Sequence, residues 1–461
     1  MKTDFRYDRW LLVVTALIVM LTTAACSFTS QYEATPPVAV NGAASAHTQD
    51  NAQPSSPSRE EASTGKDTGS REQEGDYAQS SDTQQLANGL KEDADSSLAT
   101  TEHSVKPYSL SGKLLAVGDI MMHSPQFPAY VNKKTGKYDF NSYFSQVKPI
   151  LESADWCWAN LETPLLGGEK VYTGYPMFNA PPELADALKY AGFNIVTTAN
   201  NHVLDRREKG ALRTLEVLKD RGFVTKGTSA SLWESEQVTM LEKNGIQLGI
   251  LAYTYGTNGI PLPKKKPYLV SLIDEERMIQ DIKKAKEAGA DIVAIALHFG
   301  NEYETKPNQQ QIQLARTLVQ AGADIILGSH PHVLQPYERV TVQDADGHTR
   351  DGIIIYSLGN FISNQTGDGK DIGVIFGVEI VKHMPEGRIE LKEITAEPTW
   401  VHIDGPREKR KYRVLPMSDT VMSHSDKRLT TNQFKRLQNM LNNTNRHLQS
   451  MSAVPVLLTS E

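Results

Sequence analysis

Two histidines separated by a single proline, His330-Pro331-His332, follow the apolar run Ile325–Leu327 and the small-residue turn Gly328-Ser329. A strand that ends this way aims two imidazoles from one rigid turn, and neutral imidazole is the commonest metal ligand among side chains. Other apolar runs end in groups of the same kind: Asp119 after Lys113–Val117, Asn200-Asn201-His202 after Asn194–Thr198, and His298 after Ile292–Leu297. Asn360 comes shortly after Ile353–Tyr356, and Asn160 with Glu162 after the short run Trp156–Ala159. In stacked α/β sheets the carboxyl ends of the strands share one edge, where ligands bind. Carboxylate, carboxamide and imidazole groups gathered there suit a borderline divalent ion such as Zn, Mn, Fe or Co. Two such ions bridged by a carboxylate would clamp a phosphoryl group or activate a water.

Taken singly, each residue has a plainer explanation. Asp119 can be a turn residue, Asn201 and His202 can cap the helix that follows, and His298 can sit in the core between Leu297 and Phe299. Glu162 can cap a helix or pair with a base. The recurrence of such groups at strand ends is what carries the metal reading. His47 and His103 fall in a polar N-terminal stretch and His348 in a polar turn, so they are set aside.

The elements that must position these groups alternate along the chain. Pro181–Tyr190 reads as a helix, and so does Glu208–Asp220, with Ala211, Leu212, Leu215 and Leu218 on one face. A third helix is capped by Asp274 and runs to Ala288. A fourth spans Asn308–Gln320, where Ile312, Ala315, Leu318 and Val319 recur at helical spacing. Between them lie apolar strands such as Ile246–Tyr253. Val374–Ile380 and Ile389–Ile394 read as antiparallel closing strands. The pattern is that of an α/β protein or a layered α-β-β-α protein. Beyond Pro406 it weakens, and Asn432–Met451 reads as a polar helix or a frayed tail.

Residues 1–26 have the layout of an export signal: Lys2, Arg6 and Arg9, an apolar run from Trp10 to Met20, then small residues before Cys26. Thr23-Ala24-Ala25-Cys26 resembles a lipoprotein cleavage site, with Cys26 as the lipidated residue. The alternative is an uncleaved anchor, because the apolar run nearly reaches the length of a span. Either places the rest on the outer face of the cytoplasmic membrane. Residues 27–108 are rich in Ser, Thr, Gln, Ala and acids and are expected to form a disordered acidic tether. This stretch holds 13 acidic and 5 basic residues, and residues 1–26 add a net +1. The chain total of −7 therefore leaves residues 109–461 neutral. A neutral folded region gives no electrostatic reason to bind nucleic acid. Cys157, the one thiol besides Cys26, lies between Trp156 and Trp158 and is expected to be buried.

Six stretches, in order, resemble the motifs of the CapA/PgsA family of poly-γ-glutamate capsule biosynthesis proteins. They are Gly118-Asp119-Ile-Met-Met, Asn160-Leu-Glu162-Thr-Pro, Ala199-Asn-Asn-His202-Val-Leu-Asp205, Leu297-His298-Phe-Gly300, Gly328-Ser-His330-Pro-His332 and Tyr356-Ser-Leu-Gly359-Asn360-Phe, within residues 112–380. That family is similar to calcineurin-like metallophosphoesterases. The resemblance implies a four-layered α-β-β-α sandwich over residues 109–405, followed by a polar C-terminal extension at 406–461. It also implies a divalent transition metal, one or two ions of Mn, Zn or Fe. By the same resemblance Asp119, Glu162, Asn201, His298, His330 and His332 are metal ligands, with Glu162 where a bridging aspartate usually stands. His202 assists the leaving group, and Asp205 orients His202, since a carboxylate three positions along a helical turn reaches an imidazole. The pattern departs at Met121, where a second histidine ligand is usual. His123 is a candidate to compensate, and Asn160 and Asn360 are further candidates for metal or substrate contact.

Three functions follow as expectations. The first is a membrane-tethered accessory protein for synthesis, export or attachment of poly-γ-glutamate or a related envelope polymer, with synthase or export subunits as partners. The second is an active metal-dependent hydrolase of a phosphoester or envelope linkage. The third is a non-catalytic wall-binding protein. An anionic polymer could touch the basic clusters Lys264–Lys266 and Lys409–Arg413, which otherwise read as solvated loops.

Overall fold

The computed structural model describes residues 106–168, 172–343, 347–452 and 456–459. The leader, Cys26 and nearly all of the expected tether lie outside the described residues. Among the described residues no helix is long and apolar enough to cross a membrane.

Among the described residues, fifteen strands form two sheets. The first contains β1 (Tyr108–Ile120), β2 (Trp156–Leu161), β3 (Ile195–Thr197), β4 (Val224–Lys226), β11 (Asn360–Ile362), β12 (Ile372–Met384), β13 (Arg388–Asp404) and β14 (Lys411–Pro416). Its order is β14-β13-β12-β1-β2-β3-β4, with β11 pairing beside β1. The second contains β5 (Thr239–Lys243), β6 (Ile246–Thr254), β7 (Ile292–His298), β8 (Ile325–Ser329), β9 (Leu334–Gln343), β10 (Thr349–Leu358) and β15 (Val456–Thr459). Its order is β15-β9-β10-β8-β7-β6-β5. The helices are α1 (Lys148–Leu151), α2 (Glu183–Ala191), α3 (Arg207–Asp220), α4 (Leu232–Glu236), α5 (Glu275–Glu287), α6 (Gln309–Gln320), α7 (Met417–Ser423) and α8 (Thr431–Leu448).

The layering follows from which side chains of each strand meet. Leu114 and Ala116 of β1, with Trp156, Trp158 and Ile195, face Ile250, Ala294, Ile325, Leu327 and Ile355 of the other sheet in one apolar cluster. The alternate residues Leu115, Val117, Cys157, Ala159 and Val196 face α2 and α3 through Leu184, Leu188, Val217 and Leu218. On the far side Tyr253, Val293, Ile295, Ile326 and Ile354 pack against α5 and α6 through Met278, Ile282, Ala315 and Leu318. The order is helix, sheet, sheet, helix, as expected. Strands covered on both faces read as unbroken apolar runs, which is why the sequence marks them so clearly. Cys157 is fully buried, as expected, and burial pushes its thiol pKa up.

β1 to β4 run parallel to one another, as do β6, β7 and β8, so their carboxyl ends line common edges. The chain crosses from the second sheet to the first between β10 and β11, at Gly359, whose φ of 67° favours glycine. There the Asp119 amide donates to the Gly359 carbonyl at 2.9 Å, and Asp119 stands opposite Asn360. A Cβ on Gly118 would lie 1.8 Å from that carbonyl oxygen. Gly118→Ala is therefore expected to cost about 1–3 kcal/mol through overpacking and to lower the melting temperature. Gly256→Ala, whose Cβ meets nothing within 4 Å, should leave it in place. Equal melting points for the two variants in a thermal melt would contradict this.

The residues after 405 add to both sheets. β14 hydrogen-bonds antiparallel to β13, and β15 pairs parallel with β9. The stretch read as a helix or frayed tail forms α8, which starts in a capping box of Thr430 and Gln433 and buries Phe434, Leu437, Leu441 and Leu448.

Candidate metal centre

The strand ends converge. β1 delivers Asp119; β2 delivers Asn160 and, just past its end, Glu162; the turn after β3 brings Asn201 and His202; β7 ends at His298; and the turn after β8 carries His330 and His332. All are buried. Asp119 Oδ2 lies 3.0 Å from His332 Nδ1, and Oδ1 accepts from Asn160 Nδ2 at 2.8 Å. His298 Nε2 lies 3.1 Å from Asn201 Oδ1 and 3.4 Å from Glu162 Oε1, while His332 Nε2 lies 3.8 Å from the same Glu162 oxygen. Asn160 Nδ2 also approaches His298 Nδ1 at 3.4 Å, so one carboxamide steadies both an acid and an imidazole.

The donor set fits a cation better than it fits itself. Glu162 is fully buried, yet neither of its carboxylate oxygens has a hydrogen-bond partner among the described residues, and His330 Nδ1 has none either. Buried polar atoms left this way are costly in a protein interior. Two groups of three, Asp119 with Glu162 and His332, and Glu162 with His298 and His330, each place one ligand atom per residue within 4.8 Å of one another. Glu162 belongs to both. A divalent cation would satisfy the orphaned atoms. The backbone points the same way: His330 has φ 101° and His332 φ 59°, conformations that cost a non-glycine residue about 1–3 kcal/mol and concentrate at functional sites.

Protonation follows from this crowding. Burial raises the Asp119 pKa, but the hydrogen bond and charge of His332 outweigh it and hold the carboxyl down at about 2. Burial lowers that of His332, but Glu162 and Asp119 overcome it and raise the imidazole to about 9. Burial, then the charge of Asp119, pushes Glu162 well above the usual carboxylate range. Burial drives His298 down to about 3, and burial with His298 and His332 drives His330 down to about 2. The metal-free centre at neutral pH therefore holds a proton on His332, which must leave before that imidazole can bind a cation, and burial with the charge of Asp119 works against the carboxylate form of Glu162. Metal affinity is expected to rise with pH and to level off above about 9, with about tenfold tighter binding per pH unit for each proton released. Calorimetric titration in buffers of different ionisation enthalpy counts those protons. Binding that is flat across neutral pH would contradict the assignment.

Beside the cluster, His202 Nδ1 lies 2.7 Å from Asp205 Oδ2, which also accepts from the Phe178 amide at 2.7 Å. The Phe178 ring meets His202 edge-on at 4.6 Å. Burial lowers the His202 pKa, but its bond to Asp205 and the charge of Glu162 raise it overall. An imidazole so oriented is suited to proton transfer.

Residues 113–365, more than half of the 461, match the family of the bacterial capsule synthesis protein PGA_cap. The chain belongs to this family. It is 33% identical over 257 residues to the capsule biosynthesis protein CapA of Bacillus anthracis, and 35% identical over 254 residues to the PGA biosynthesis protein CapA of Bacillus subtilis (strain 168). Both alignments cover 54% of this chain, but only 59% and 62% of those relatives, so less than two thirds of either is spanned. Among solved structures the chain resembles the NAD nucleotidase of Haemophilus influenzae, with a TM-score of 0.41 and 11% identity over 76% of this chain and 64% of that one.

Other motif residues of this PGA_cap chain sit around the cluster and not within its ligand groups. His123 caps a short 3-10 turn, accepts weakly from the Asn364 amide at 3.4 Å and packs edge-on against Phe178 at 5.2 Å. Met121, where a histidine is usual, is buried in the interior. Asn360 donates to Gln365 Oε1 and the Lys370 carbonyl, both at 2.9 Å, which holds the loop beside Asp119. The loop after β6 reaches the centre through Asn258, whose Nδ2 lies 3.5 Å from His202 Nδ1, while Lys266 of its basic cluster pairs with Glu208 at 2.5 Å.

Sequence reasoning missed Glu302 and Tyr255. Glu302 is exposed, and with His330 and His332 it forms a third possible ligand group at the mouth. Its only signal is that it follows the strand-end motif His298-Phe-Gly300. Tyr255, just past β6, lays its ring 4.6 Å from that of His330.

Proposed function

We propose that this PGA_cap chain is a membrane-tethered, extracytoplasmic protein that acts through a divalent-metal centre in the synthesis, export or attachment of poly-γ-glutamate or a related envelope polymer. The observation that carries the metal part of this reading is Glu162, fully buried, with both oxygens orphaned and shared by two ligand groups. Family membership supports the polymer. The charged leader, apolar run and Cys26 support the tether. The bound ion, Mn, Zn or Fe, supplies positive charge that polarises a phosphoryl or acyl group. Asp119, Glu162, His298, His330 and His332, with the Asn201 carboxamide, would hold it. Asn160 fixes the orientation of Asp119 and His298.

A second reading, an active hydrolase of a phosphoester or envelope linkage, is favoured by the His202–Asp205 pair, which metal binding alone does not require. There Asp205 keeps the proton on His202 Nδ1 and fixes the ring, and His202 gives a proton to the leaving group. If the histidines served only to cap strands, as in a wall-binding protein, the orphaned Glu162 oxygens would have no explanation.

The test is complementation. In a strain that has lost this gene and its surface polymer, the wild-type gene restores display, while His330→Ala and Glu162→Gln, expressed and membrane-associated to the same extent, do not. Full display by either variant would sink the role of the metal. A chain found in the soluble fraction would sink the tether.

A further inference from the structure

Next to the metal cluster lies a cleft of about 610 Å³, within the size range of ligand sites, lined on one side by Tyr255 and Phe299 and on the other by the start of α6. Its chemistry differs from that of an anion site. None of its eleven lining residues is Lys, Arg or His, and its one charged side chain is the acid Glu275. Carboxamides dominate the polar wall. Asn301, Gln310 and Gln313 are exposed. Each offers both a donor and an acceptor to a ligand.

Tyr255 of the cleft belongs to a set of exposed rings around the histidines. Tyr175, Tyr255 and Tyr303 are 75%, 50% and 49% exposed, unusual values for rings beside a buried centre. Tyr255 packs 4.6 Å from the His330 ring and Tyr303 6.2 Å from that of His332, while Tyr175 meets Phe178, the ring that abuts His202. Flat rings with one open face bind the C–H face of a sugar ring by dispersion, and carboxamides match hydroxyl groups that both give and accept hydrogen bonds. Within the cleft a γ-glutamyl chain, with a carboxylate on every residue, would meet Glu275 and no Lys, Arg or His; the basic side chain at these rings, Lys370, lies over Tyr303, which does not line the cleft.

We propose that this cleft binds a neutral, hydroxyl-rich glycan segment and presents it to the metal centre. The inference rests on the proposed function only for its consequence, that the linkage handled there has a sugar on one side. Binding itself does not require the metal.

The test is a titration of the full chain in detergent micelles with chitotetraose, and separately with tetra-γ-glutamate, before and after treatment with EDTA. Chitotetraose is expected to bind saturably in both states. Tyr255→Ala should weaken it at least about tenfold, the size of a lost ring contact, while Tyr255→Phe stays within about twofold. Gln313→Trp, on the exposed face of α6, should block the cleft without disturbing the fold, which keeps the test valid if Tyr255→Ala does not fold. No chitotetraose binding, binding indifferent to both Tyr255→Ala and Gln313→Trp, or Tyr255-dependent binding of tetra-γ-glutamate would each overturn the proposal. Chitotetraose that binds to a chain unable to take up metal would count against the metal centre and leave the glycan cleft standing.

Discussion

Glu162→Gln is expected to abolish metal binding while leaving a folded protein. The carboxylate is the one group common to the two fully buried ligand sets, and among the described residues both its oxygens are without hydrogen-bond partners. A neutral amide keeps the shape but removes the charge and turns one acceptor into a donor aimed at the cation. A ligand present at about 100 times its dissociation constant stabilises a protein by about 2.7 kcal/mol. The wild-type chain should show a stabilisation of that order with Mn or Zn, and the variant almost none. Without metal the order should reverse: an acid whose charged form is penalised by burial and by Asp119 gives way to a group that is always neutral. Thermal melts of both proteins, with and without metal, test this. Equal metal-induced shifts would remove Glu162 from the centre.

His202→Ala and Asp205→Asn separate chemistry from binding. Neither belongs to a ligand group of acids and imidazoles, yet His202 is held by Asp205 at 2.7 Å and feels the charge of Glu162. Both variants should retain wild-type metal content. If the centre turns over a phosphodiester or envelope linkage, His202→Ala should lose about 10²–10⁴-fold in rate, the usual contribution of general acid–base catalysis. Asp205→Asn should lose less and shift the acid limb of the pH profile, because its effect runs through the imidazole. Loss of metal in His202→Ala would make His202 a ligand and not an acid. Unchanged turnover would leave the pair structural.

The site was legible because parallel strands buried on both faces stop abruptly at polar residues. Ile292–Leu297 can only end at His298, and Ile325–Leu327 only before His330. What was not legible lies at edges and on surfaces. β4 and β5 are short, half-buried and partly polar, with Lys226, Glu242 and Lys243 breaking the alternation. Lys409–Arg413 reads as a basic surface cluster, yet Arg413 is buried in β14 against His402 and Asp426. Its charge is matched by Asp426, far outside any local window. β1 starts at Tyr108, ahead of the apolar run at Lys113, because pairing with β12 extends it through Ser109 and Ser111. Glu302 carries no signal beyond its place after His298-Phe-Gly300, since an exposed loop acid is marked mainly by what folds up beside it.

The claim on which the rest depends is that these residues hold a divalent ion. The direct measurement is elemental analysis of the purified full chain after gel filtration in metal-free buffer, followed by reconstitution with Mn, Zn or Fe. The account predicts one or two equivalents of a transition metal in the wild type, lost in Glu162→Gln and His330→Ala and retained in His202→Ala. A wild-type chain that carries no metal, takes none up and melts at the same temperature with or without it would contradict the account.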